Sequence, residues 1–157
     1  MEALKEILTS LLFGKPVLIG LGNRIRGDEG AGSLLAGSLK DNLSINVIDA
    51  EMSIENYIEQ VIKDKPDTVI IVDAVSMNLE PGALSIYSDI EITKNHFSPH
   101  GISLQFLKDY LINAGVACLI FIGIQPLHTT LGGELSEPAK EALNKLERIF
   151  LNVFKKM

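Results

Sequence analysis

Thr68-Val69-Ile70-Ile71-Val72-Asp73 is a run of β-branched residues, wholly apolar from Val69 to Val72 and closed by an acid. A strand with one wet face alternates apolar and polar residues, whereas one covered on both faces does not, and the latter pattern belongs to parallel sheets. The run predicts a central strand. An acid at its tip needs either a partner or a solvated cavity, because an unpaired buried carboxylate is costly.

Outward from this run, two periodicities alternate along the chain. Towards the N-terminus, Leu4, Ile7, Leu8, Leu11 and Leu12 recur at helical spacing and predict an amphipathic helix over 2–13, ended by Gly14-Lys15-Pro16. Val17 to Leu21 reads as a strand, and a glycine-rich turn leads into a helix from Asp28 to Lys40 carrying Leu34, Leu35 and Leu39. Ile45 to Asp49 repeats the strand. Ser53 then reads as an N-cap to a stripe of Ile54, Tyr57, Ile58, Val61 and Ile62.

Beyond the central run, Glu80-Pro81-Gly82 leaves too little chain for a helical crossover, so Ala83 to Tyr87 is expected to run antiparallel at an edge. Ser88 to Phe97 reads as a loop. Ser98-Pro99 reads as a helix start, with Ile102, Phe106, Leu107, Tyr110 and Leu111 as the apolar face and Gly115 as the stop. Ala117 to Ile124 is a fifth strand. After a loop from Gln125 to Leu135, Ser136-Glu137-Pro138 opens a last helix with Leu143, Leu146, Ile149, Phe150 and Val153, and Lys155 and Lys156 suit its C-terminal dipole. These elements predict an α/β three-layer sandwich. Its central five-stranded, mostly parallel twisted sheet has one antiparallel strand and helices on both faces.

The 157 residues are expected to form one domain, 1–157, since a single core of that size buries roughly 70% of the unfolded chain's surface. With 46% apolar and 22% charged residues, disordered and fibrous classes are excluded. Fourteen basic against 20 acidic residues leave a charge of −6, which argues against a nucleic-acid partner. The apolar run from Val116 to Ile122 is too short to span a bilayer, and Met1-Glu2-Ala3-Leu4 does not open like a signal peptide, so no membrane partner is expected and the expected location is cytoplasmic. Cys118, the single cysteine, is expected as a buried reduced thiol.

Ligands of doubly wound sheets bind beyond the carboxyl ends of the strands. On that edge lies Gly20-Leu21-Gly22-Asn23-Arg24-Ile25-Arg26-Gly27-Asp28-Glu29-Gly30-Ala31-Gly32. The opening resembles a dinucleotide fingerprint, with Asp49 in the place of a ribose-binding carboxylate. Yet Ile25 stands where that fingerprint needs Gly or Ala, and Asp28 and Glu29 put negative charge where a pyrophosphate would bind. Asp28 reads as an N-cap. Glu29 is either a solvated first-turn acid or a cation ligand, and Asp73 either accepts loop amides or faces a site. His100, at a helix start whose dipole keeps the ring neutral, is either a packing residue or a ligand. His96 reads as a surface residue and His128 as a structural one in the loop after the fifth strand. If their elements are neighbours, Glu29, Asp73 and His100 converge as an incomplete ligand set of combined charge −2 for a divalent metal. Arg24 and Arg26 read as solvated loop residues.

Four motifs in unbroken order, spanning about residues 17 to 150, carry a family resemblance. They are the glycine loop from Gly20 to Gly32, Ile71-Val72-Asp73-Ala74 with Pro81-Gly82, Ser98-Pro99-His100, and Gly123-Ile124-Gln125-Pro126. Together they resemble the nickel-iron hydrogenase maturation proteases, and the Asp73 to Gly82 stretch with Gly-Ile-Gln-Pro is most similar to the branch serving formate-hydrogenlyase-type and energy-converting hydrogenases. The resemblance implies an endopeptidase that removes a C-terminal extension from the hydrogenase large-subunit precursor after nickel insertion. It implies that Glu29, Asp73 and His100 are the catalytic and metal-contacting residues. The nickel would arrive with the precursor, and no tightly bound cofactor of the chain's own is expected. Asp49-Ala50-Glu51 departs from the family's usual Asp-Gly-Gly, which adds Glu51 as a further carboxylate. The helix over 1–13 is extra to the family's usual start and is expected to pack on the core.

Overall fold

The computed structural model describes residues 2–95 and 103–156. The predicted central run is β3 (Thr68–Ala74), buried at every position. Around it lie β1 (Pro16–Leu21), β2 (Asn46–Glu51), β4 (Leu84–Tyr87) and β5 (Cys118–Ile124), in the order β2-β1-β3-β5-β4 among the described residues. β1 pairs parallel with β2 and β3, and β3 parallel with β5. β4 alone runs antiparallel, against β5 at one edge, as the short turn requires.

Successive residues of each buried strand serve opposite layers. Leu18, Ile70, Val72, Ile120 and Ile122 pack with Leu8 of α1 (Glu2–Leu11), Leu35 and Leu39 of α2 (Ala31–Leu39), and Leu146 and Phe150 of α6 (Glu137–Val153). Val17, Ile19, Val69, Ile71, Leu119 and Phe121 pack with Val61 of α3 (Ile58–Lys63), Ile92 of α4 (Asp89–Asn95), and Leu104, Leu107 and Leu111 of α5 (Leu104–Asn113). Two cores on a shared sheet make the predicted three layers. The extra N-terminal helix belongs to the first core: Leu8 is fully buried, and the Thr68 hydroxyl donates to the Phe13 carbonyl at 2.6 Å while accepting the Phe13 N–H at 3.1 Å.

Several expectations are corrected. The predicted loop after Tyr87 contains α4, at whose start Glu91 reaches back as in one half of a capping box: the Ser88 N–H and hydroxyl both donate to Glu91 Oε1, at 3.1 and 3.0 Å. Ser53 caps nothing with its side chain, and a 3-10 turn at Ile54–Asn56 comes before α3. The helix carrying Leu107 and Leu111 starts at Leu104, with Ser103 Oγ accepting the Phe106 N–H. The expected start at Ser98-Pro99 and the expected core residue Ile102 lie outside the described residues. Phe106 and Tyr110 are exposed, because the buried face of α5 runs along Leu104, Leu107 and Leu111 instead. Lys156 reaches the Asp41 carbonyl at 2.9 Å rather than the end of α6. Cys118, at the first position of β5, is half-buried with its Sγ 3.2 Å from Thr68 Oγ1, and burial pushes the thiol's pKa up.

One close approach positions the functional edge. The expected helix start at Asp28 is instead a 3-10 turn, Gly27–Gly30, and α2 begins only at Ala31. There the helix crosses the sheet backbone to backbone. A Cβ on Gly20 would strike the Gly32 carbonyl, and one on Gly32 would strike the carbonyls of Leu21 and Val72. Glycine at both positions lets the turn settle on the tip of β3. Gly32→Ala is therefore expected to destabilise the protein by about 2–4 kcal/mol, measured by urea denaturation, with Gly37→Ala in the same helix costing less.

Candidate active site on the carboxyl edge of the sheet

Asp73 and Glu29 reach this edge from different layers. Asp73 continues the alternation of Val69 and Ile71, so it shares the face of α5, and it is 1% exposed. Its Oδ1 accepts the Ala74 N–H at 2.8 Å. Glu29 is half-buried in the Gly27–Gly30 turn, which packs against β3, and among the described residues its carboxylate accepts no hydrogen bond. The two expected acids thus come to one edge. His100, the third expected member, lies outside the described residues, as does His96. Among the described residues no three His, Cys, Asp or Glu side chains cluster closely enough to hold a metal.

Asp28 has a different role from the one expected. It caps neither the 3-10 turn nor α2, whose N-cap positions, Arg26 and Gly30, make no side-chain cap bond. Instead its fully buried carboxylate fastens the loop between β5 and α6. Oδ1 accepts the Ser136 N–H at 2.8 Å, and Oδ2 accepts the Leu127 N–H at 2.8 Å, the Ser136 hydroxyl at 2.7 Å and the His128 N–H at 3.4 Å. Burial alone would raise its pKa. The bonds from Ser136, Leu127 and His128 outweigh burial and hold the carboxyl below its ordinary value. Ser136 Oγ also accepts the Ala139 N–H, so the group that caps α6 is held by Asp28. Backbone bonds complete the seam: Asp28 N–H to the His128 carbonyl at 3.0 Å, Gly27 N–H to Gly133 at 3.2 Å and Gly132 N–H to Ile25 at 2.6 Å. His128 contributes through this main chain while its ring is exposed, in line with a structural reading.

Arg24 is not simply solvated. Its guanidinium bonds Asp49 Oδ2 at 2.8 Å, the Ser33 carbonyl at 3.1 Å and the Ser33 hydroxyl at 2.8 Å, and that hydroxyl donates to Asp49 Oδ1 at 2.7 Å. Asp49 is therefore engaged, which removes both its imitation of a ribose-binding acid and its contribution to an unpaired acidic cluster. Glu51 is exposed beside it in a left-handed conformation, with its carbonyl accepting the Gly22 N–H at 2.7 Å. Gln125 is a further organiser: its Oε1 accepts the Met77 N–H at 2.7 Å and the Leu79 N–H at 3.3 Å, fixing the loop after β3. Its place in Gly-Ile-Gln-Pro, just past a buried strand, was the signal available in the sequence.

Doubly wound sheets hold their ligands beyond the carboxyl edge, and here that edge carries a buried aspartate at the central tip and a second acid on a turn packed against the same strand. A family model described as HycI, hydrogenase maturation protease, matches residues 32–153. The Hydrogenase 3 maturation protease of Escherichia coli K12 is 34% identical over 130 residues, covering 81% of this chain and 83% of its own. A crystal structure of a Hydrogenase 3 maturation protease superposes with a TM-score of 0.78 at 31% identity, covering 86% of this chain and 88% of that one. The nickel-iron hydrogenase maturation protease HycI of Thermococcus kodakarensis superposes with a TM-score of 0.85 at 27% identity, covering 98% and 99%. The protein is thus a peptidase by class. It belongs to the HycI hydrogenase maturation protease family, the branch that the Asp73 to Gly82 stretch and Gly-Ile-Gln-Pro suggest.

Asp28→Asn replaces an acceptor facing four donors by an amide that accepts at one end only, and is expected to cost about 2–4 kcal/mol in urea denaturation at pH 7. Because the folded pKa lies below the unfolded one, the wild-type contribution is complete above the unfolded value and is lost as pH falls through the folded value. The stability difference between wild type and Asp28→Asn should therefore shrink below about pH 4.

Proposed function

We propose that this protein is the endopeptidase that removes a C-terminal extension from the nickel-loaded large-subunit precursor of a nickel-iron hydrogenase, and that Glu29, Asp73 and His100 dock the nickel the precursor carries. The observation supporting this most directly is the buried Asp73 at the central strand tip, with the carboxylate of Glu29, which has no partner among the described residues, brought to the same edge. Two carboxylates and an imidazole suit a divalent ion, and three ligands leave positions for thiolates supplied by the precursor. An ion shared in this way is substrate, and it gives the reaction a checkpoint: without nickel the scissile bond is not brought to the acids.

Hydrolysis adds water across one amide bond, the hydroxyl to the carbonyl carbon and a proton to the departing amine. A docked ion close to that carbonyl polarises it and stabilises the oxyanion that forms. Asp73 suits such service because β3 is paired with β1 as far as Val72 and with β5 through Ala74, which fixes the backbone that carries the carboxylate before substrate arrives.

The test is incubation of the purified protein with nickel-loaded and nickel-free precursor, followed by mass measurement of the product. Only the loaded precursor is expected to lose its extension. Glu29→Gln, Asp73→Asn and His100→Ala should each lower kcat/KM by about 100-fold or more. Normal cutting by all three variants would refute the site, and equal cutting of nickel-free precursor would refute the checkpoint.

A further inference from the structure

The loops on the carboxyl edge are held firmly, yet they turn large aliphatic side chains outwards. Ile25, Met52, Leu79, Leu127 and Leu131 are between 45% and 62% exposed. They lie on four loops, those after β1, β2, β3 and β5, and hydrogen bonds tie these loops together. Gly132 N–H bonds the Ile25 carbonyl at 2.6 Å and Gly22 N–H the Glu51 carbonyl at 2.7 Å, while Leu127 N–H bonds Asp28 and Leu79 N–H bonds Gln125. In sheet order these loops bracket the tip of β3 and Asp73.

Single exposed aliphatics are normal on any surface. What distinguishes these is that each of the four loops around one candidate site contributes at least one, and that Asp28 and Gln125 order the backbone beside Leu127 and Leu79 in advance. Such preorganisation lowers the entropy lost when a partner binds. Acids predominate: Glu51, Glu80 and Glu134 are exposed on the same edge, Arg24 is engaged by Asp49, and Arg26 is the exposed cation beside Ile25. An apolar rim with acidic neighbours suits a partner that brings a cation in apolar surroundings.

We propose that Ile25, Met52, Leu79, Leu127 and Leu131 form a docking rim for an extended aliphatic segment of the large-subunit precursor beside its scissile bond. This rests on the reading of the chain as the processing endopeptidase of that precursor. The dimensions agree. Four neighbouring strands about 4.8 Å apart span roughly 14 Å, the length of about four residues of extended chain. The segment crosses the strand tips, and its aliphatic side chains are buried against the rim while the nickel reaches the acids between them.

The experiment measures Kd for the precursor by interferometry and steady-state cleavage of nickel-loaded precursor, using the full-length protein. The combined variant Ile25→Ser, Leu127→Ser, Leu131→Ser is compared with Ile7→Ser and Ile90→Ser, which alter equally exposed residues on α1 and α4. The rim variant is expected to raise KM and Kd by about tenfold with kcat within about twofold of wild type, and the control variants to match wild type. If the combined variant melts early, Met52→Ser and Leu131→Ser alone serve, each with a smaller rise in KM. Unchanged KM in the rim variants, or an equal rise in the controls, overturns the rim. A wild type that binds the precursor through the rim but does not cut it overturns the peptidase reading while leaving the rim standing. A wild type that neither binds nor cuts overturns both.

Discussion

The carboxylate of Asp28 is the interaction on which the working edge of the protein depends. The loop after β1 and the loop before α6 are separated by about a hundred residues of chain, yet four donors from the second converge on one side chain of the first. An ionised acceptor in a buried, amide-lined setting gives hydrogen bonds roughly twice as strong as neutral ones. That strength fixes the position of Gly27–Gly30, and with it Glu29. Ser136 extends the effect into α6, whose first turn and loop are held by the same group.

Close backbone packing does the remaining positioning. Gly20 and Gly32 allow α2 to cross β1 with no side chain between them, which lowers the preceding turn onto the strand tips. The network of Arg24, Ser33 and Asp49 then holds the start of the glycine loop against the end of β2. Glu29 and Asp73 therefore sit on a frame in which Asp28 and the Arg24–Asp49 pair are already engaged. Asp28 and Asp49 are structural in this sense, although neither of the roles that the sequence suggests for them is the one they fill.

The sheet was legible in the sequence because burial on both faces leaves an unbroken β-branched run, and β3, β5 and their parallel pairing follow from it. The place of Asp73 was legible for the same reason, since an acid ending such a run must lie at a strand tip. The partners of Asp28 were not, because nothing local signals a contact across 108 positions, and the capping rule offered a nearer explanation. α4 was missed because among its described side chains only Ile92 is buried, which gives no periodic stripe, although Ser88 and Glu91 carried a capping signal. On α5 the apolar count misled: Phe106 and Tyr110 fall at helical spacing beside Leu107 and Leu111, and spacing alone does not say which neighbouring face meets the sheet.

The edges of the sheet carry a consequence of their own. A parallel sheet with open flanks exposes unpaired amides and carbonyls that invite strands of other chains. Here β4 offers a flank of only four residues before the chain turns into α4, and β2 ends in Asp49 and Glu51, the latter with positive φ, so that its last residues depart from regular pairing geometry. Neither flank presents the long, flat, uncharged strand on which edge-to-edge aggregation depends. The carboxyl edge can thus hold aliphatic side chains out to solvent while the sheet beneath them discourages growth by strand addition.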